Sequence, residues 1–259
     1  MNASDGTKRR WPRWALPLLV GVIGFVAVHP FDGQMSARFV QFAEHAKGDL
    51  RRELQAWQQY GQGLFIGVLV IAVWLTDAAP FFRRRRLLDL GLALGIAQIA
   101  STAGKMLIGR PRPRPWYDDP NTFLTPWGEY PVKINGAWKL VHAWDTKAGA
   151  NADLWSMPSS HTLFAATVSV FIAALFPRLR WLVFVLVLLV ACGRIMFDAH
   201  WPTDVIVGGA AGWLIGRCVV GNHAGVRLVD WVWVRVVDRA AKPALPALLA
   251  HERESAAAR

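Results

Sequence analysis

Apolar residues along this chain are gathered into blocks, without the period of two of a half-buried strand or the single apolar stripe of a surface helix. Six blocks stand out, at roughly 14–29, 61–79, 87–105, 161–177, 180–198 and 203–220. Each approaches the ~20 residues with which a helix crosses a bilayer. Helices are required there because hydrocarbon offers open backbone groups no partner. The stretch from Trp181 to Cys192 is almost uniformly aliphatic. The third block carries Gly91, Gly95 and Gly104, and the sixth Gly208, Gly209, Gly212 and Gly216. Small residues let membrane helices approach closely, which predicts a central position for both. The expected fold class is all-α: a polytopic membrane bundle of six transmembrane helices with an outer-face loop over 106–160.

The polar segments set the expected orientation. Lys8, Arg9, Arg10 and Arg13 precede the first block, Arg83 to Arg86 lie between the second and third, and Arg178 and Arg180 between the fourth and fifth. Basic residues in short connections stay on the cytoplasmic side, so these three regions alternate correctly with six spans. Both termini then lie inside, and 30–60, 106–160 and 199–202 outside. Loop 106–160 runs against a simple count, since it also holds Arg110, Arg112, Arg114, Lys133, Lys139 and Lys147. Most of its tryptophans, among Trp116, Trp127, Trp138, Trp144 and Trp155, read as interfacial anchors. The charged start followed by an apolar run resembles a signal peptide, but His29-Pro30-Phe31-Asp32 follows in place of a small-x-small cleavage site, so an uncleaved first helix is expected. Segment 36–60 reads as helical and lying on the membrane. Residues 223–259 read as a cytoplasmic amphipathic helix with a disordered end, and 1–13 as a cytoplasmic tail flanking a membrane domain over 14–222.

Composition agrees. The chain is 54% hydrophobic and 18% charged, against roughly 45–50% and 25% in soluble domains. The net charge of +11 flanks apolar blocks, so lipid headgroups are the expected partner and nucleic acid is not. Cys192 and Cys218 both sit in apolar segments and make neither a disulfide framework nor a zinc site.

Ionisable groups at membrane depth are costly and mark function. Three clusters fall at the outer ends of spans. Lys105 is followed by Gly109-Arg110-Pro111-Arg112-Pro113-Arg114-Pro115, a stiff cationic arm suited to phosphate oxygens, or a basic collar against headgroups. Met157-Pro158-Ser159-Ser160-His161 opens the fourth span, where free N–H groups and the helix dipole make an anion cradle, or only a cap. Gly193-Arg194 and then Asp198-Ala199-His200-Trp201-Pro202-Thr203-Asp204 lead into the sixth span. His200 and Asp204 are four apart, so a helical turn would let the carboxylate orient the imidazole; a capping Asp beside an interfacial His is the plainer alternative. Acids on this face are few and scattered, which fits no divalent-metal cage. No cofactor is expected, since phosphoryl transfer needs charge neutralisation that the cations supply.

Lys105, six residues, then Arg112-Pro113; Pro158-Ser159-Ser160-His161; and Gly193-Arg194, five residues, His200, three residues, Asp204 together resemble the signature blocks of the type 2 phosphatidic acid phosphatase (PAP2) superfamily. The resemblance covers roughly 90–220. It implies a PAP2-like core with His200 as nucleophile, Asp204 orienting it, His161 protonating the leaving group, and Lys105, Arg112, Arg194, Ser159 and Ser160 holding the phosphate. Two positions depart from the family, which usually has Gly where Ser160 stands and Ser where Gly193 stands. A side chain at 160 narrows or re-aims the pocket, and Gly193 lacks a hydroxyl; both bear on substrate choice. Arg110 and Arg114 fall outside the motif spacing and are free for a second phosphate or a headgroup.

The expected function is a membrane-embedded, metal-independent phosphatase acting on a lipid phosphate monoester or diphosphate through a phosphohistidine. Phosphatidic acid, phosphatidylglycerol phosphate, undecaprenyl diphosphate and lipid A phosphates all fit. The alternatives are a lipid phosphotransferase that passes phosphate from His200 to an acceptor lipid, and a non-enzymatic lipid-binding or transport component. The expected location is a bacterial inner membrane with a periplasmic active site, with no obligate protein partner.

Overall fold

A computed structural model describes residues 12–45, 49–76, 82–113, 119–124, 127–134, 136–145 and 151–257. The chain is mostly helical. α1 (Ala15–Val28) runs through a 3-10 turn into α2 (Asp32–His45), and α3 (Asp49–Trp57) and α4 (Gly63–Thr76) follow. α5 (Phe82–Ile108) leads into a loop holding β1 (Glu129–Ile134), β2 (Ala137–His142) and the single turn α6 (Asn151–Leu154). Then come α7 (Ser160–Leu175), α8 (Arg180–Met196), α9 (Pro202–Val219), α10 (Ala224–Val232) and α11 (Leu245–Ala257).

Four helical runs are long and apolar enough to cross a membrane: Ala15–His45, Phe82–Ile108, Pro177–Met196 and Pro202–Asn222. The other two expected spans coincide with the shorter apolar helices Gly63–Thr76 and Ser160–Leu175. Large apolar side chains lie outward on α1 (Ile23, Val26), α4 (Leu64, Leu75) and α8 (Trp181, Phe184). A soluble protein would cover such a surface; here it forms the face that lipid would cover.

The centre of the bundle differs from the sequence expectation. α7 is its most enclosed helix, with Leu163, Ala165, Val168 and Phe171 fully buried. α9 lies against it as its glycines predict. At Gly212 an added Cβ would stand 2.1 Å from the carbonyl oxygen of Leu163, and at Gly208 2.5 Å from that of Ser159. Backbone therefore meets backbone along this contact, and it brings the start of α7 beside the start of α9. Gly104 does the same for α5, where Pro158 occupies the space of its missing side chain.

α5 joins the two ends of the molecule. At its first turns Arg86 donates to the Val220 carbonyl (3.0 Å), and Arg13 donates to Asn222 (2.6 Å) and Gly221 beside it. Lys105 lies about 28 Å further along at 1.5 Å per residue, close to the thickness of a bilayer core. The basic clusters around Arg13 and Arg86 thus share one end, and the candidate site lies at the other. The remaining N-terminal cluster, residues 8–10, falls outside the described residues.

Three local features add to the sequence reading. Within the loop, β1 and β2 pair antiparallel from Glu129↔His142 to Ile134↔Ala137 around Gly136 at φ +85°. Val141 and Leu154 are buried there with Leu124, Tyr130 and Trp155 around them, a small core of its own. Trp127, Trp138 and Trp144 are exposed as interfacial anchors would be, but Trp155 donates to the Ala143 carbonyl at 2.6 Å and Trp116 lies outside the described residues. Within the C-terminal tail, α11 docks on the bundle: Leu248 is buried, His251 stacks on Phe82 at 4.2 Å, and Glu252 pairs with Arg86 at 3.4 Å.

The tight contact between α7 and α9 gives a test. Gly212→Ala is expected to lower stability by about 1–3 kcal/mol, the usual cost of overpacking. Gly67→Ala, where nothing lies within 4 Å, is expected to be neutral or slightly stabilising. Thermal unfolding of the two variants in detergent compares them, and equal midpoints would contradict the packing described.

Candidate active site

α5 ends at Ile108, where Gly109 takes φ +59° and donates to the Lys105 carbonyl at 3.0 Å. Pro111 and Pro113 keep the next residues extended. This arm is fastened along its length. The Ser156 amide donates to the Arg110 carbonyl (3.0 Å), and the Arg112 amide to that of Asp153 (2.8 Å). Lys105 closes α5 and donates to Ser160 Oγ, which is also 2.8 Å from Ser101 Oγ. The hydroxyl at position 160 therefore tethers the lysine.

Ser159 is the N-cap residue of α7 and is fully buried, but its side chain does not cap the helix. Its Oγ lies 3.1 Å from Thr162 Oγ1, and its amide donates to the Asp204 carbonyl at 3.0 Å. The first turn of α7, with His161, starts beside Lys105, so the positive end of its dipole lies near the Lys105–Ser160 contact. Arg194, in the last turn of α8, donates to Gln58 Oε1 at 2.9 Å. Gly193 explains how Gln58 gets there: a side chain at 193 would meet Gln58 Cγ at 3.0 Å. The residue that lacks a hydroxyl thus makes room for an amide that holds the neighbouring arginine.

His200 precedes α9 and is 1% exposed. Trp201 is extended (φ −71°, ψ 156°) and Pro202 opens the helix, so His200 is not on the helical turn that the four-residue spacing predicts. The pair is nonetheless close, with His200 Nδ1 3.7 Å from Asp204 Oδ2. That is an ion-pair distance, longer than a hydrogen bond. Asp204 is fully buried; Oδ2 accepts the Trp201 amide (2.8 Å) and the Ser156 hydroxyl, and Oδ1 accepts Arg110 Nη1 (2.6 Å). Capping α9 and facing the histidine are one role of one carboxylate. Burial, aided by the charges of Arg112 and Arg194 and opposed by Asp204, pushes the His200 imidazole down to about 3.

The eight sequence-predicted residues come together. His161 stands in the field of Arg194, Lys105 and Arg112, and His200 in that of Arg112 and Arg194. An anion entering here meets three cations and two imidazoles from α5, the 109–113 arm, α7, α8 and the approach to α9. Among the described residues, no three His, Cys, Asp or Glu side chains converge as metal ligands would.

Arg110 corrects its expected role. It is not available for a second phosphate: its guanidinium is fully buried, bonded to Asp204 (2.6 Å), Thr203 Oγ1 (2.8 Å), Asp32 (2.7 Å) and the Pro120 carbonyl (2.6 Å). Arg114 lies outside the described residues. Sequence reasoning also missed Asp32, Gln58, Ser101, Ser156 and Thr203. Only Asp32 carried a signal, as an acid placed directly after an apolar span.

The family model of the PAP2 superfamily matches residues 86–225, more than half of the 259-residue chain. Lipid A 1-diphosphate synthase of Escherichia coli is 31% identical over 155 residues, covering 59% of this chain and 58% of that protein. Phosphatidylglycerophosphatase B of Haemophilus influenzae is 28% identical over 156 residues, covering 50% and 62%. The matches therefore span less than two thirds of either relative. The crystal structure of the first transmembrane PAP2 type phosphatidylglycerolphosphate phosphatase from Bacillus subtilis has a TM-score of 0.54 and 20% identity, covering 82% of this chain and 96% of that one, a likeness of fold. The matched stretch contains every residue of the pocket from Lys105 to Asp204, and the chain belongs to the PAP2 superfamily.

Proposed function

We propose that this chain is an integral-membrane phosphatase that hydrolyses a lipid phosphate monoester or diphosphate at the outer face of the membrane. The observation that carries this reading is the buried His200–Asp204 pair facing a pocket charged by Lys105, Arg112 and Arg194. The names of the two curated relatives, both describing enzymes of phosphorylated lipids, support the substrate class. A site at the end of an apolar bundle suits a substrate whose tails stay in lipid while its headgroup enters. Six spans, both termini cytoplasmic and a periplasmic site in a bacterial inner membrane complete the reading.

The chemistry follows from the residues. Lys105, Arg112 and Arg194, with Ser159, Ser160 and the first turn of α7, hold the phosphate oxygens and neutralise their charge. His200 Nε2 attacks phosphorus, a P–N bond forms and the bond to the leaving oxygen breaks. His161 gives its proton to that oxygen. The phosphoimidazolium keeps its Nδ1 proton and is stabilised by Asp204. Water then attacks phosphorus, His161 takes its proton, the P–N bond breaks and inorganic phosphate leaves. Three fixed cations supply the electrostatic work, so no metal is required.

His200→Ala is expected to abolish phosphate release while leaving the protein folded. The assay uses detergent-purified protein with phosphatidate, phosphatidylglycerol phosphate, undecaprenyl diphosphate and lipid A in the presence of EDTA. Release that persists in the variant would sink the nucleophile assignment, and strong inhibition by EDTA would sink the metal-free mechanism. Ser160→Gly frees Lys105 from its tether. It is expected to change KM by about threefold or more and kcat less, a binding effect worth some tenths of a kcal/mol or above; an unchanged KM on every lipid would count against the tether.

The buried imidazole also predicts acid lability. Its folded value of about 3 lies below the ~6.5 of an unfolded histidine. On acidification the unfolded chain takes up the proton first. Stability is therefore full above pH 6.5 and lost as pH falls toward 3, by up to ~1.4 kcal/mol per pH unit from this group. His200→Asn is expected to flatten the fall in melting temperature between pH 7 and 4.5. Identical slopes would show that His200 contributes nothing.

A further inference from the structure

We propose that Asp32 and Arg110 form a positioning relay that fixes Asp204 and leaves its negative charge available to His200. The phosphoryl transfer then depends on a residue of the N-terminal helical run, outside the stretch matched by the family model. The inference rests on the proposed function and assigns Asp32, Arg110 and Thr203 a part in it.

The geometry is closed on every side. Asp32, Arg110, Thr203 and Asp204 are all fully buried. Arg110 Nη1 donates to Asp204 Oδ1 (2.6 Å) and Thr203 Oγ1 (2.8 Å), and Nη2 donates to Asp32 Oδ2 (2.7 Å). Asp32 Oδ1 accepts the Thr203 amide at 2.9 Å, and Oδ2 accepts the Thr203 hydroxyl. Asp32 therefore caps the first turn of α9 from another helix, one residue before Asp204.

Charge counting gives the relay its purpose. His29 Nδ1 also lies 3.2 Å from Asp32 Oδ2; with that imidazole donating as a neutral ring, one guanidinium between two carboxylates leaves one net negative charge. The phosphoimidazolium that forms on His200 needs that charge. Were Arg110 paired with Asp204 alone, the pair would be neutral and its hold on the imidazolium weak. With Asp32 drawing on the same guanidinium, Asp204 is pinned without being neutralised. Arg110 and Asp32 touch neither His200 nor the phosphate pocket in the contacts described, so they act through Asp204.

Asp32→Asn removes the charge and keeps the shape. The purified full chain is heated in detergent with orthovanadate, which bonds to the histidine nitrogen as a transferring phosphoryl group would, and separately with sulfate, which only the cations hold. In the variant the vanadate-induced rise in melting temperature is expected to fall by half or more, with the sulfate-induced rise unchanged. On a lipid phosphate kcat is expected to fall about tenfold or more with KM within about twofold, as for groups that orient a reacting ligand. Asp32→Glu restores part of both. Thr203→Val, a milder change that keeps the amide donor, is expected to lose about threefold in kcat by the same route.

An undiminished vanadate response in Asp32→Asn and Thr203→Val overturns the relay. So does a parallel loss of both anion responses, which is the mark of a collapsed pocket and a merely structural role. A wild-type chain that responds to neither anion and releases no phosphate overturns the phosphatase reading instead, so the two failures are told apart.

Discussion

A fully buried arginine held between two fully buried carboxylates is the constraint around which the outer end of this bundle is organised. Desolvating one such charge costs several kcal/mol, and the cost is offset only when geometry and hydrogen bonding are complete. Here they are complete. Arg110 comes from the arm after α5, Asp32 from the junction of α1 and α2, and Asp204 from the first turn of α9. Three segments far apart in sequence must therefore meet in one arrangement. The arrangement carries the next residues with it: Trp201 and Ser156 bond the carboxylate that Arg110 holds, and Trp201 also donates to the Pro111 carbonyl at 2.9 Å.

The apolar side of the structure makes the same point in another way. Helices in lipid gain no hydrophobic drive from meeting each other, so close fit has to do the work. The glycines of α9 let it touch the backbone of α7, and Pro158 fills the notch at Gly104 of α5. These fits bring Lys105, Ser160 and His161 within reach of the arginines and His200. The fit of the helices and the burial of charge thus act on the same few residues.

Much of this was legible in the sequence, for physical reasons. Blocks of apolar residues announce helices whatever surrounds them, and the spacing of Lys105, Arg112, Pro158 to His161, Arg194, His200 and Asp204 named residues that the fold brings together. What stayed hidden depended on distant partners. Nothing near Arg110 in the sequence distinguishes it from Arg112, because its fate is decided by Asp32 in another helix. Gln58 is an unremarked polar residue until Gly193 opens the space it fills. An all-apolar helix reads alike whether it faces lipid or core, so the central position of α7 and the peripheral one of α8 could not be ranked. The contacts of α11 likewise come from Phe82 and Arg86, far away in sequence.

The brevity of α7 has a consequence for how lipid meets the protein. Its 16 residues extend about 24 Å, some 6 Å less than the hydrocarbon of an ordinary bilayer. Mismatch of this kind acts only where lipid touches a helix; α7 is enclosed, so its neighbours cover the shortfall, and α1, α4 and α8 present the apolar surface that lipid would meet. The start of α7, where Ser160 and His161 stand, is thus flanked by protein and not by hydrocarbon. An anion bound for Lys105 and His161 would then have to pass between helices, past the polar residues at their ends, and could not come straight in from the lipid around the bundle.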